Sequence, residues 1–416
     1  MRLNGIFKDN MVFQRNAQIC VFGVADVNAV SVLAHIMDGD KILSEGIADY
    51  IEEDDRSFVI ELDALPAGGP YTLWVDSQVN EITIHNVYIG EVWIAGGQSN
   101  MEYILGRSAN ASEVVPSCPR TSIHYYNVPV SDKVDDELIE AEKETRWYVV
   151  DSDTCYNMSG IAFYFALKVQ EVLSKEENKD LHFAVIGCYL GGSSVSCWQS
   201  AEALGKTAEG RKYLEEFRSK CESWSSREEY LAAEAKYLDE CEVFENKVNA
   251  VLKTQPYISY FDVEKITGPG AWPPPVGPLS VRRPGSLYEG MLTRIIPFAV
   301  KGVIFYQGEE DTGAHSEDYA VVFGTMIAQW REVFRDENLP FVFCSLPKFP
   351  PEGDPEEAAW DRVRQQQRLV AQTVPDTYIA DIYDCGEIGN VHPSDKKTPG
   401  DRLAALALKH VYGLDY

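Results

Sequence analysis

Between Val87 and Gly97 the chain reads Val-Tyr-Ile-Gly-Glu-Val-Trp-Ile-Ala-Gly-Gly, a nearly unbroken apolar run that closes on glycines. Such a run suits a strand buried on both faces, the condition that parallel sheets meet when helices cover them, so a parallel α/β sheet is expected to begin here. The preceding residues are patterned differently. From Ile6 to about Thr83 the apolar residues fall in short alternating runs, such as Ser57-Phe58-Val59-Ile60-Glu61-Leu62 and Tyr71-Thr72-Leu73-Trp74-Val75, separated by turn clusters at Asp38-Gly39-Asp40 and Pro66-Ala67-Gly68-Gly69-Pro70. Half-buried strands with turn punctuation predict an N-terminal β-sandwich, jelly-roll-like, over residues 1–86.

Downstream, residues 161–173 have helical spacing and 183–187 form a short apolar strand. Further strands are expected at 301–306, 341–346 and 377–382, with helices at 319–334 and 360–373 between them. Strands alternating with helices imply crossover units, hence a doubly wound parallel sheet in three αβα layers over residues 87–416. Ligands of such sheets bind at the carboxyl ends of the strands, which is where the chemistry is sought. Residues 203–251 break the rhythm with a charged stretch that reads as an inserted, solvent-exposed helical pair. The proline-locked loop 268–278, with Trp272 in it, suits a substrate wall or a linker equally.

Charge narrows the partners. With 37 basic against 65 acidic residues the net charge is −28, a field that repels nucleic acid and anionic membrane surfaces. The nine cysteines make an odd, scattered set without a CxxC pair, which argues against a disulfide framework or zinc ribbon and for a reducing compartment. Cys188 and Cys197 are accordingly read as buried thiols. Residues 1–13 lack a basic stretch followed by an apolar core, so the chain as written is expected to be cytoplasmic.

Four strand ends carry candidate chemistry. After the first buried strand stands Gly96-Gly97-Gln98-Ser99-Asn100-Met101-Glu102, where Ser99 is either a helix N-cap or a nucleophile presented on a strand-to-helix turn. The next strand ends in Gly191-Gly192-Ser193-Ser194, whose glycines allow close approach, so that the Gly192 N–H can meet a developing oxyanion. It lacks the spacing of a phosphate loop. The third ends in Tyr306-Gln307-Gly308-Glu309-Glu310-Asp311: Gln307 offers a neutral amide donor, while Glu309 and Asp311 would suit the acid and base of a glycosidase. After the last strand, His392 lies in a loop, suited to general-base work because its ordinary pKa is near neutral. His35, His85 and His182 are poorly placed, and no His/Asp cluster with metal-ligand spacing is present.

Taken together these segments resemble the sialate O-acetylesterase family of the SGNH hydrolases. The resemblance runs from Asp9-Asn10-Met11-Val12-Phe13-Gln14 through Gly90-Glu91-Val92-Trp93 and Gly97-Gln98-Ser99-Asn100-Met101 to Gly191-Gly192, Tyr306-Gln307-Gly308-Glu309 and His392-Pro393 with Asp395-Lys396. It implies a cofactor-free serine esterase acting on acetylated sugars. Ser99 would be nucleophile and His392 base; the Ser99 and Gly192 N–H groups and the Gln307 side chain would form the oxyanion hole, and Glu309 would hold the site's hydrogen bonds. Many SGNH enzymes carry an aspartate three residues before the histidine, where this chain has Gly389. A Ser-His dyad, or an acid such as Asp384 or Glu309, must therefore orient the imidazole. Glu289 stands where relatives often have asparagine. Arg282, Arg283 and Arg364 are the cations available for an anionic sugar. The rivals are a glycosidase using Glu309 and Asp311, and a non-catalytic carbohydrate-binding protein.

Overall fold

A computed structural model describes every residue except Tyr50, Ile51, Glu53, Asp54 and Tyr416. Eight strands open the chain: β1 (Arg2–Leu3), β2 (Val12–Gln14), β3 (Ile19–Val24), β4 (Val32–Asp38), β5 (Lys41–Ala48), β6 (Ser57–Leu62), β7 (Gly68–Asp76) and β8 (Glu81–Gly97). β1, β3 and β6 form one antiparallel sheet. β4 pairs antiparallel with β5 on one side and β7 on the other, and β7 pairs antiparallel with the first half of β8, which also takes β2 alongside in parallel.

The second half of β8 enters a different neighbourhood. Together with β9 (Ile123–Asn127), β10 (Tyr148–Val149), β11 (Phe183–Tyr189), β12 (Gly302–Tyr306), β13 (Phe341–Cys344) and β14 (Thr377–Ala380) it forms a sheet in the order β10-β9-β11-β8-β12-β13-β14. All these neighbours run parallel except the edge pair β10-β9. The fold is thus mixed α/β around a large central sheet. Residue 86, where the alternating pattern stops, lies inside one uninterrupted strand rather than in a linker. Asn86 takes a positive φ of 55° there, and the register against β7 shifts nearby. A local kink of this kind lets one strand belong to two differently oriented neighbourhoods.

The period-2 rule puts Trp93 and Gly96 on opposite faces of β8. Trp93 packs edge-on against Phe165 of the helix Gly160–Glu176, and Phe305 of β12, beside Gly96, packs against Phe323 and Trp330 of the helix Tyr319–Val333. Helices therefore cover both faces, which is why the strand sequences are continuously apolar. One buried cluster runs through the whole molecule: Phe13 of β2 and Phe7 of the loop before it meet Phe298 from the segment before β12.

Two buried side chains fasten the far side of this core. Glu142, at the end of the helix Asp136–Glu144, accepts from Arg294 through Nε at 2.7 Å and Nη2 at 3.0 Å, in a bidentate pair with side chains 5% and 11% exposed. Removing one partner of a buried pair strands the other charge. Glu142→Ala is expected to lower the unfolding free energy by about 3–5 kcal/mol, read as a shift in the urea midpoint. A change within experimental error would show that the pair is not holding the two segments together.

Candidate active site

The register of three strands builds the site. Gly97 of β8 lies level with Tyr189 of β11 on one side and Tyr306 of β12 on the other, so all three strands end at the same height. The chain turns outward there at Ser99, at Leu190-Gly191-Gly192 and at Gln307. β8 is also where the strand order reverses, since the chain fills the β11 side before the β12 side; crevices at such switch points are the binding sites of open α/β sheets. Gly97 itself has φ 131°, and a Cβ there would fall 2.0 Å from the Tyr306 carbonyl oxygen, so only glycine permits the turn that delivers Ser99.

Ser99 is the first residue of a short helix, Ser99–Glu102. Its Oγ is 2.8 Å from His392 Nε2 across 293 residues of sequence. The histidine loop is held from within. His392 N–H donates to Asn390 Oδ1 at 3.0 Å, Asn390 Nδ2 donates to Glu387 Oε2 at 2.8 Å, and Ser394 N–H donates to Glu387 Oε1 at 2.8 Å. Among the described residues no carboxylate bonds the ring of His392. Asp384, one expected orienting acid, instead pairs with Arg402 at the surface. The imidazole pKa is lowered to about 4, first by burial and then by the Lys396 ammonium, so at neutral pH it is the free base that accepts from the Ser99 hydroxyl.

Glu309, the other expected acid, sits one step removed. It is buried and accepts from Asn100 Nδ2 at 2.6 Å; the same amide nitrogen donates to the carbonyl oxygen of Val391, next to His392, at 2.9 Å. Asn100 Oδ1 accepts from Lys396 Nζ at 2.6 Å. Burial pushes the Glu309 carboxyl up and the Lys396 ammonium down, the direction expected when both are taken out of water with an amide between them. Glu309 thus positions the histidine loop through Asn100.

The N–H groups of Gly191, Gly192 and Ser99 differ in availability. Gly191 N–H donates to Glu102 Oε2 at 2.7 Å and is engaged. Gly192 N–H and Ser99 N–H have no acceptor among the described residues. Gly192 has φ 68°, which turns its N–H away from the strand. Gln307 departs from expectation. Its Nε2 lies 3.0 Å from Ser193 O, 3.1 Å from Gln98 Oε1 and 2.5 Å from Asp311 Oδ2, while its Oε1 accepts from Tyr319. Two N–H groups facing three acceptors leave nothing for an oxyanion, and turning the amide over would set its oxygen against the Asp311 carboxylate. Gln307 therefore belongs to the buried scaffold under the site.

Asp311 is equally committed. It accepts from Val195 N–H, Ser194 Oγ, Tyr213 Oη and Gln307 Nε2, and it is 2% exposed. A carboxylate ringed by four donors and shut away from solvent cannot exchange protons with a glycoside, so the Glu309/Asp311 glycosidase reading fails on geometry. The inserted stretch also departs from a solvated excursion. Its helix Ala208–Glu222 supplies Tyr213 to Asp311 and Glu216 to His315, whereas the longer helix Arg227–Leu252 buries only Tyr230. Of the three arginines, Arg283 is paired with Glu289 and Arg364 with Asp361, and only Arg282 lies by the glycine turn, its Nε donating to Gly191 O at 2.8 Å.

Comparison with known proteins bears on this arrangement. Residues 273–409 match the family described as carbohydrate esterase, sialic acid-specific acetylesterase. Sialate O-acetylesterase from Mus musculus is 22% identical over 97% of this chain and 72% of its own length, and the Homo sapiens protein of that name is 21% identical over 99% and 71%. The chain is thus similar to sialate O-acetylesterases over nearly its whole length. A carbohydrate acetylesterase structure from Xanthomonas citri superposes with TM-score 0.71 over 100% of this chain and 76% of its own, at 24% identity, and shares the fold.

Three residues of the site escape a reading of strand ends: Asn100, Glu102 and Lys396. The first two lie in the segment that flags Ser99, yet a polar residue in a first helical turn reads as solvated. Lys396 is 2% exposed and stacks its ammonium over Tyr103 at 4.2 Å. Because Asn100 alone joins Glu309, Val391 and Lys396, Asn100→Ala is expected to displace the histidine loop and reduce kcat for ester hydrolysis on the order of 10²-fold while KM moves little. Unaltered kcat would show that the loop is positioned without it.

Proposed function

We propose that this esterase removes O-acetyl groups from sugars through a serine acyl-enzyme, on an SGNH-type α/β domain preceded by a β-sandwich. The observation that carries the reading is the 2.8 Å contact between Ser99 Oγ and His392 Nε2. Ser99 Oγ attacks the acetyl carbonyl carbon as His392 Nε2 takes its proton. The tetrahedral oxyanion receives the N–H groups of Ser99 and Gly192, and its collapse breaks the ester C–O bond, His392 returning the proton to the departing sugar oxygen. Water then attacks the acetyl-serine with His392 again as base, and acetate leaves. With no carboxylate on the imidazole, the pair works as a dyad, its ring held by burial and by the loop that Asn390 and Glu387 staple.

The relatives' name points to sialic acid as one acetylated sugar to test. Ser99→Ala is expected to reduce acetate release from p-nitrophenyl acetate and from an acetylated sugar on the order of 10⁴- to 10⁶-fold. Equal activity in the two proteins would end the proposal.

The lowered imidazole pKa sets a pH profile. The base is competent only when neutral, so kcat/KM should hold level from neutral pH downward and reach half its plateau near pH 4. Lys396→Met removes the cation that helps to depress that value and should move the acid limb to higher pH. An acid limb in the wild type at the ordinary histidine value of 6.5 would show that the titrating base is not this buried ring.

A further inference from the structure

The inserted helices and the proline loop contribute no group to the reaction, yet they are built against the site. Between them and the glycine turn lies a cavity of about 320 Å³. The loop is anchored from the insertion: Trp224 Nε1 donates to Val276 O at 2.8 Å, and Gly277 packs so tightly on Tyr230 that a Cβ would fall 2.3 Å from its ring. At the near end of the loop stands Trp272, 56% exposed, with its indole edge resting on Gly192; a Cβ on Gly192 would sit 2.0 Å from Cη2. Gly191, next in line, lies against the nucleophile, a Cβ there falling 3.2 Å from that of Ser99. One glycine pair therefore separates the reacting hydroxyl from a large, exposed aromatic face on an anchored loop.

We propose that Trp272 and Arg282 form the subsite for the sugar ring that bears the acetyl group. This assignment rests on the serine esterase reading and names how its substrate is held. The C–H face of a pyranose carries partial positive charge and stacks on the negative face of an indole. Arg282 backs that stack. Its guanidinium carbon is 5.7 Å from the Trp272 ring centroid, its Nε is tied to Gly191 O, and its terminal N–H groups have no acceptor among the described residues, so they face the cavity as donors to ring oxygens or hydroxyls. Charge does not select the ligand here. Lys220 is paired with Glu216, and Glu310 also lines the cavity, so Arg282 confronts a carboxylate of its own chain. Recognition is by ring shape and stacking, common to neutral and carboxylate-bearing sugars.

Kinetics and binding test this separately. Trp272→Ala should lower kcat/KM for an O-acetylated xylo-oligosaccharide and for O-acetylated sialic acid, through KM, roughly tenfold more than it lowers kcat/KM for p-nitrophenyl acetate, which has no sugar ring. Trp272→Phe should recover part of the difference. In the Ser99→Ala protein, calorimetric titration with each acetylated sugar should show affinity weakened by the same factor when Trp272→Ala is added. Equal losses on all three substrates, or unaltered affinity in the titration, would overturn the subsite. Should the wild type fail to hydrolyse any acetyl ester, the esterase reading falls, while the titration still decides whether Trp272 holds a sugar. A loss confined to the sialic acid arm would show that a carboxylate, and not the ring face, is recognised, and would equally overturn the proposal.

Discussion

One buried amide holds the site together. Asn100 donates to Glu309 and to the Val391 carbonyl and accepts from Lys396, so it joins the turn after β8, the turn after β12 and the loop after β14 through a single side chain. A bare Glu–Lys pair in the same enclosure would have to offset the desolvation of two ions by direct attraction alone. An asparagine between them gives each one hydrogen bond of fixed direction, while Glu309 Oε2 stays buried without a partner. The peptide that leads into His392 is fixed at both its ends, by Asn100 at the Val391 carbonyl and by Asn390 at the His392 N–H.

Below that layer lies a second buried polar set with a different task. Asp311 gathers donors from the β11 turn, from Gln307 and from Tyr213 of the insertion, while Gln98 Oε1 accepts from the Gly308 and Glu310 N–H groups. These bonds fasten together the turns that follow three adjacent strands. Such a set is stable only when complete, because a buried carboxylate short of donors is costly. That completeness is why the Gln307 amide, chemically able to stabilise an oxyanion, has no N–H to offer.

Much of this is legible in the sequence, and the illegible parts share a cause. The switch from alternating to continuous apolar residues marks the central strand, and glycines at its end mark Ser99. Strand ends are local signals, readable from a few neighbouring residues. The direction of the Gln307 side chain is not local, since it is decided by an aspartate whose burial depends on a tyrosine from the charged insertion. Lys396 reads as surface because nothing near it in the chain announces Asn100 or Tyr103. The docked half of the insertion likewise differs from its exposed half by a few contacts, Tyr213 and Glu216 among them, which a charge pattern averages away.

The continuity of β8 constrains the molecule mechanically. A single strand of seventeen residues begins beside β7, bends at Asn86, and ends at the turn that carries Ser99. The leading strands are therefore less a cassette that recombination can swap than a buttress cast in one piece with the floor of the crevice. Any ligand that bent the outer sheet would load the turn at Gly97 directly, and a lineage that discarded those strands would have to find new support for the opening stretch of its own central strand.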